Sequence, residues 1–236
     1  MDRRSSPQVA VAGGSHLSFP AALRQLPSVA PVLVDLPGHG ASPGSGRDSI
    51  ADYALDIVAL LDALAIETAI VLGHSMGGAI AQWLALEHAA RTDALVLAGT
   101  GPRLPVNPAL ITGIAAAPAP TISSIVRWMW SKQAAEDLKQ QSADIMLATD
   151  PTVIQADFLA CDRFDISQSL AQIAVPTLIL AGEKDRMTPP SLSQELARGI
   201  AHSELAILPN AGHMMLLEQP NRSAALIDAW LKRAWV

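Results

Sequence analysis

The sequence predicts an α/β fold: a mostly parallel sheet of about six strands, helices on both of its faces, and a helical insertion between two of the strands. Three observations carry that expectation. Six short apolar runs have the length of strands, and most end at a turn residue. Segments with apolar residues every three or four positions lie between them. Half of the 236 residues are apolar and only 4% are aromatic. Ala, Leu, Ile and Val must therefore fill the core, as they do in parallel strands covered on both sides. A chain of this length suits one domain of roughly 200–250 residues, large enough to hold together without disulfide staples.

The six runs are residues 9–11, 32–35, 69–72, 94–98, 177–181 and 204–208. Between the second and third, Ile50, Tyr53, Ala54, Ile57, Leu60, Leu61 and Leu64 mark one face of a helix over 49–64. After the third, Ile80, Trp83, Leu84 and Leu86 do the same over 76–88. Strands alternating with helices imply parallel pairing through right-handed crossovers. The rhythm stops over 101–172. Clustered prolines come first, then Trp128, Met129 and Trp130, then a polar helical run over 131–141, with no strand pattern. A stretch that long is expected to be a helical insertion rather than a structureless loop. The core then comprises 1–100 and 173–236, with a last helix near 220–235.

Composition excludes several function classes. The net charge is −6, with charges scattered and no Lys/Arg cluster, so no nucleic-acid partner is expected. Cys161 is the only cysteine, which rules out an intrachain disulfide and fits a reducing compartment. Arg3 and Arg4 are followed by an apolar stretch that Gly13 and Gly14 break, so no export signal is read. The apolar region 105–120 carries four prolines and falls short of the roughly 20 apolar residues of a membrane span. A soluble, cytoplasmic protein without a membrane partner is expected. No His/Cys/carboxylate cluster has zinc spacing, so no metal is expected.

The sharpest local signal is Ala69-Ile70-Val71-Leu72-Gly73-His74-Ser75-Met76-Gly77-Gly78-Ala79. It reads as an apolar strand, then G-x-S-x-G, then an amphipathic helix. A serine on so tight a strand-to-helix turn points its hydroxyl out of the sheet, and side chains at Gly73 and Gly77 would strike neighbouring backbone. The helix that starts beside Ser75 favours negative charge there, and the Met76 backbone N–H is placed to donate to an oxyanion. A chance glycine-rich turn would not bring the strand before and the helix after. A phosphate loop would need Gly-Lys-Ser/Thr, which does not follow.

Serine needs a base and an acid that orients the base. The fifth apolar run ends in Gly182-Glu183-Lys184-Asp185-Arg186-Met187-Thr188-Pro189. An acid just past the carboxyl end of a parallel strand faces the crevice where such sheets bind ligands. Asp185 is the choice, with Glu183 as its rival, and either could simply start a turn. The sixth run leads into Pro209-Asn210-Ala211-Gly212-His213, where a loop histidine would reach Ser75. Twenty-eight residues separate Asp185 from His213, room for one helix and one strand. Among the other histidines, His74 is expected to be held in the elbow and to point away. His39 sits in a glycine-rich loop, His88 and His202 at solvated helix ends, and His16 at the entrance of the site as a substrate contact.

With these residues in place the chain resembles the α/β-hydrolase superfamily. The resemblance extends to Asp35-Leu36-Pro37-Gly38-His39-Gly40-Ala41-Ser42, to Val175-Pro176-Thr177 before the acid strand and to Glu218-Gln219-Pro220 after the histidine. It covers nearly the whole chain outside the insertion. Gly-His-Ser-Met-Gly-Gly is similar to enol-lactonases, carboxylesterases, C–C bond hydrolases and haloperoxidase-like members. A serine nucleophile argues against the epoxide hydrolase and haloalkane dehalogenase branches. The resemblance implies that 101–172 is a helical cap shaping the pocket, with Trp128 and Trp130 at the pocket or in the core.

Two departures from the family pattern stand out. The loop after the family's third strand usually carries His-Gly, and the next residue's N–H completes the oxyanion hole. Here Ala10-Val11 stand in that place, leaving the Ala12 N–H as the second donor. Two further strands that usually precede this segment are expected to be missing. That would leave one sheet edge open, where two copies could pair as a homodimer.

The implied activity is hydrolysis of a carboxylic ester or lactone of a small to medium, partly apolar substrate through an acyl-enzyme, acyl-transfer chemistry that needs no other cofactor. C–C cleavage or perhydrolysis by the same triad, and a weakened or truncated homologue that only binds a ligand, are the alternatives.

Overall fold

The computed structural model describes residues 5–9, 15–27 and 29–234. In chain order the elements are β1 (Ser5–Val9), α1 (Ala21–Arg24), β2 (Ala30–Val34), α2 (Ile50–Ala63), β3 (Ala69–His74) and α3 (Met76–Glu87). Then come β4 (Thr92–Ala98), α4 (Pro108–Ala116), α5 (Pro118–Met129), α6 (Glu136–Ala148) and α7 (Pro151–Asp162). The chain closes with β5 (Thr177–Gly182), α8 (Pro190–Gly199), β6 (Ser203–Leu208), α9 (Met215–Glu218) and α10 (Pro220–Ala234).

Alternation along the strands decides where the core sits. In β3, Ile70 and Leu72 face one way and Val71 the other. β4 divides the same way, with Ala94, Val96 and Ala98 opposite Leu95 and Leu97, and β5 sets Leu178 and Leu180 opposite Ile179. One set packs under α2, α3 and α8 through residues such as Ile57, Ile80 and Leu196. The other packs under α1 and α10 through Leu23, Ile227 and Trp230. All six residues of β3 and all six of β5 are buried, as covering on both faces requires.

The strands form one sheet, ordered β2-β1-β3-β4-β5-β6, and every pairing is parallel. From β1 the chain steps outward to β2 and then returns past β1 to β3. The loops after β1 and β3 therefore diverge at a switch point, where sheets of this kind hold ligands at the carboxyl ends of their strands. Ser75 directly follows β3 there. β1 touches the run expected at 9–11 only at Val9, and Ala10 and Val11 lie outside the described residues.

Four helices, α4 to α7, join β4 to β5. The clustered prolines start helices: α4, α5 and α7 each have proline in the first turn, where its missing N–H has no partner to lose. The polar helix begins at Glu136, not Ser131, and runs on to Ala148. Glu136 and Asp137 occupy its first turn, where the helix dipole favours acids. These helices have an apolar core of their own, including Ile122, Ile125, Met146 and Phe158, and Met214 from the loop after β6 joins it. Buried His39, in the loop after β2, bonds Asp157 of α7 at 2.8 Å and ties this segment to the sheet. Among the described residues, no helix is long and apolar enough to cross a membrane.

Candidate active site

Ser75 sits between β3 and α3 with φ 56° and ψ −120°. A non-glycine residue there is strained and is held by its surroundings. Its N–H donates to Ala98 O at 2.9 Å, and its carbonyl accepts from Gly78 N at 2.8 Å. A Cβ on Gly73 would lie 2.1 Å from Gly77 O, so the strand can turn back into the helix this tightly only with glycine at 73. The Ser75 hydroxyl does not cap the helix it precedes. Met76, fully buried, opens α3, so its N–H is among the donors that a helix start leaves without an intrahelical partner. Ala12, the other expected oxyanion donor, lies outside the described residues.

The loops after β5 and β6 bring Asp185 and His213 together. At Gly182 a Cβ would fall 2.1 Å from Gly212 O, so glycine lets the two loops touch. Lys184 N donates to Ala211 O at 2.8 Å and fixes their spacing. Asp185 Oδ2 then accepts His213 Nδ1–H at 2.9 Å, with both residues buried. Asp185 Oδ1 accepts the N–H groups of Met187 and Thr188, each at 2.9 Å. Burial opposes charge on Asp185. The neighbouring His213 charge and the hydrogen bonds from His213 and Thr188 outweigh it and hold the carboxyl below its ordinary range. Glu183 points elsewhere: it accepts from Asn210 N at 2.8 Å and pairs with Lys184.

Three residues to which the sequence reading gave no part in the site support this pair. Thr188 Oγ1 lies 2.7 Å from Asp185 Oδ2, 2.8 Å from Gly99 O and 3.1 Å from His213 Nδ1. Its position three residues after an acid is the signal that was available, since such hydroxyls close local turns. His74 does not point away. Its ring lies 4.7 Å from that of His213, and its Nε2–H donates to His213 O at 2.7 Å. Burial, then the His213 charge, pushes His74 down to about 3, so it serves as a neutral donor. Glu218 Oε1 accepts from Gly212 N at 3.0 Å and Ser131 N at 3.3 Å, joining the histidine loop to the end of α5.

Ser75 and His213 open onto one cavity of about 320 Å³. Its wall is mostly apolar, with Leu104, Val106, Leu110, Ile125, Met129 and Phe158, and Trp128 lies at its edge, 55% exposed. Trp130 is buried in the helical core instead. His16 is not among the lining residues: its Nδ1 faces both Asp35 carboxylate oxygens at 3.0 Å. Among the described residues no group of three or more His, Cys, Asp or Glu side chains could hold a metal ion.

The family model described as "Alpha/beta hydrolase family" matches residues 9–226. The chain belongs to the α/β-hydrolase family. Over 233 residues it is 31% identical to the AB hydrolase superfamily protein YisY of Bacillus subtilis, covering 90% of this chain and 86% of that one. It is 30% identical to a pimeloyl-[acyl-carrier protein] methyl ester esterase of Neisseria meningitidis, covering 91% and 87%. A solved hydrolase structure from Pseudomonas aeruginosa superposes with a TM-score of 0.89 at 28% identity, over 98% of this chain and 90% of that one. In this α/β-hydrolase the described residues form a parallel sheet of six strands, in keeping with the sequence expectation of about six.

Proposed function

We propose that this α/β-hydrolase is a serine esterase or lactonase that works through an acyl-enzyme. One observation carries the reading: the buried Asp185–His213 hydrogen bond ends at the same apolar cavity that Ser75 lines. The Neisseria relative, named for hydrolysis of a methyl ester, supports ester chemistry.

In this mechanism His213 Nε2 takes the proton from Ser75 Oγ as the oxygen attacks the substrate carbonyl. The oxyanion forms beside the start of α3 and is stabilised by the Met76 N–H; the Ala12 N–H is the second donor. The C–O bond to the leaving alcohol breaks as His213 returns the proton to it. A water molecule, deprotonated by His213, then releases the acid and restores Ser75. Asp185 stays ionised, keeps the proton on Nδ1 and stabilises the imidazolium. Residues 101–172 act as a cap, whose apolar wall and Trp128 receive a small to medium acyl or alkyl chain.

The test is hydrolysis of a panel of methyl esters and lactones by the purified protein, followed by acid release. Turnover that improves as the acyl chain gains methylene groups is expected. A folded protein that releases acid from no ester or lactone would overturn the reading.

A further inference from the structure

The cavity contains one feature that simple apolar esters leave unused. Among its lining residues, all described, there is no Asp or Glu, and Arg186 brings the fixed positive charge. Asp185 adjoins Arg186 in the chain, but its two oxygens are taken by His213, Met187 and Thr188. Arg186 Nη2 donates to Arg127 O at 2.5 Å, and its guanidinium lies 5.4 Å from the Trp128 ring centre. These two contacts hold the fork in place and leave further N–H groups to donate. Arg127 in turn bonds the Ser124 hydroxyl at 2.9 Å, and Ser124 lines the cavity. Several other arginines meet acids: Arg47 pairs with Asp56, Arg103 with Glu195, Arg163 with Asp48 and Arg233 with Glu204. In a chain of net charge −6, an exposed arginine anchored at the rim of an apolar cavity, with no acid paired to it, is free to receive one.

We propose that Arg186, held by Trp128 and the Arg127 carbonyl, receives a carboxylate carried by the substrate away from its scissile bond. The inference rests on the cavity being the ester site. The substrate class is then the hemiester or lactone of a dicarboxylic acid. A phosphate monoester fits less well, because one guanidinium already spending a donor on a carbonyl neutralises about one negative charge, not the nearly two of a phosphate. The apolar wall accepts the methylene chain. Its low polarity would repel the carboxylate if the guanidinium were not there.

The experiment compares monomethyl esters of unbranched dicarboxylic acids, from adipic to azelaic, with methyl esters of monocarboxylic acids of equal length. The wild type is expected to favour the charged ester at one chain length, which measures the distance from Ser75 to Arg186. In Arg186→Gln the ratio of kcat/KM for charged over neutral ester should fall roughly five- to ten-fold, a size suited to a partly exposed charge pair. The loss should lie in KM, since the contact is equal in ground and transition states. Arg186→Lys should keep part of the preference, and added salt should erode it in the wild type.

If Arg186 only packs α5 against the acid loop, its loss would alter both esters alike and leave the ratio unchanged. That result would overturn the inference, as would a wild type with no charge preference or a preference indifferent to salt. Calorimetric binding of monomethyl suberate to Ser75→Ala and to Ser75→Ala/Arg186→Gln reads the same contact without turnover. A failure of ester hydrolysis is therefore told apart from a failure of the anion site. Equal affinity in the two variants would also overturn the inference.

Discussion

Asp185→Asn should lower kcat for ester hydrolysis by about 10⁴ while the protein stays folded. The reason lies in the hydrogen-bond inventory. Both oxygens of Asp185 face donors: two backbone N–H groups on Oδ1, and His213 Nδ1 and the Thr188 hydroxyl on Oδ2. An asparagine brings an NH₂ group that must face one of them. With the backbone pair on the oxygen, the NH₂ meets His213 Nδ1, which can then only accept. The imidazole proton moves to Nε2, the nitrogen that must take the proton from Ser75. The packing changes little, so melting should shift far less than activity. Steady-state kinetics beside a circular-dichroism melt checks both. A variant within a few-fold of wild-type kcat would mean that Asp185 does not orient His213 for catalysis.

The second large effect concerns stability. Asp157→Asn should destabilise the fold by about 3–5 kcal/mol, the cost of removing one partner of a buried ion pair. His39 and Asp157 are both fully buried, and their 2.8 Å bond links the loop after β2 to α7. His39 Nδ1 lies 3.2 Å from Pro37 O, so both ring nitrogens face acceptors and both must carry protons. Tyr53 OH donates to the other Asp157 oxygen at 2.5 Å and accepts from Arg47 N at 2.9 Å.

Burial alone would lower the His39 pKa. The hydrogen bond and charge of Asp157 outweigh it and raise His39 above 6.5. A histidine raised on folding contributes stability that is fully present below its unfolded value and is lost as the pH climbs through its folded value. The melting gap between wild type and Asp157→Asn should therefore be widest near and below pH 6.5 and narrow in alkaline buffer. At roughly 2–4 °C per kcal/mol for a domain of this size, the gap at its widest is about 10 °C. A gap that widens with pH would contradict the ionised His39.

Much of this site is legible in the sequence because its information is local. The strand, the glycine of the elbow and the helix around Ser75 occupy adjacent residues, and Asp185 and His213 each follow a strand at a turn, buried β5 and edge strand β6. The choice between Asp185 and Glu183 turned on which side chain the β5–β6 contact aims inward. Gly182 and Gly212 govern that contact across a long separation.

The less legible parts depend on partners far apart in the chain. His39 meets Asp157 across 118 positions, and Tyr53 meets it across 104, so a glycine-rich loop and a helix gave no hint of a shared ion pair. His74 looked confined by the elbow, yet its neighbour is the loop after β6. The insertion was read as helical, but its prolines serve equally as breakers and as first-turn residues. Which role each takes depends on the helices that pack around it, and the polar run starts later than expected for the same reason. His16, expected at the entrance, turns onto Asp35 instead.

The measurement closest to the central claim is labelling with a fluorophosphonate, read by intact mass, on the wild type and Ser75→Ala. Such a probe modifies a serine only when a base activates it and an oxyanion site receives the charge. A single adduct on the wild type that vanishes in Ser75→Ala is the predicted result. No adduct on a protein that melts cooperatively, or an adduct that persists in Ser75→Ala, would contradict the assignment of Ser75, His213 and Asp185 as a working triad.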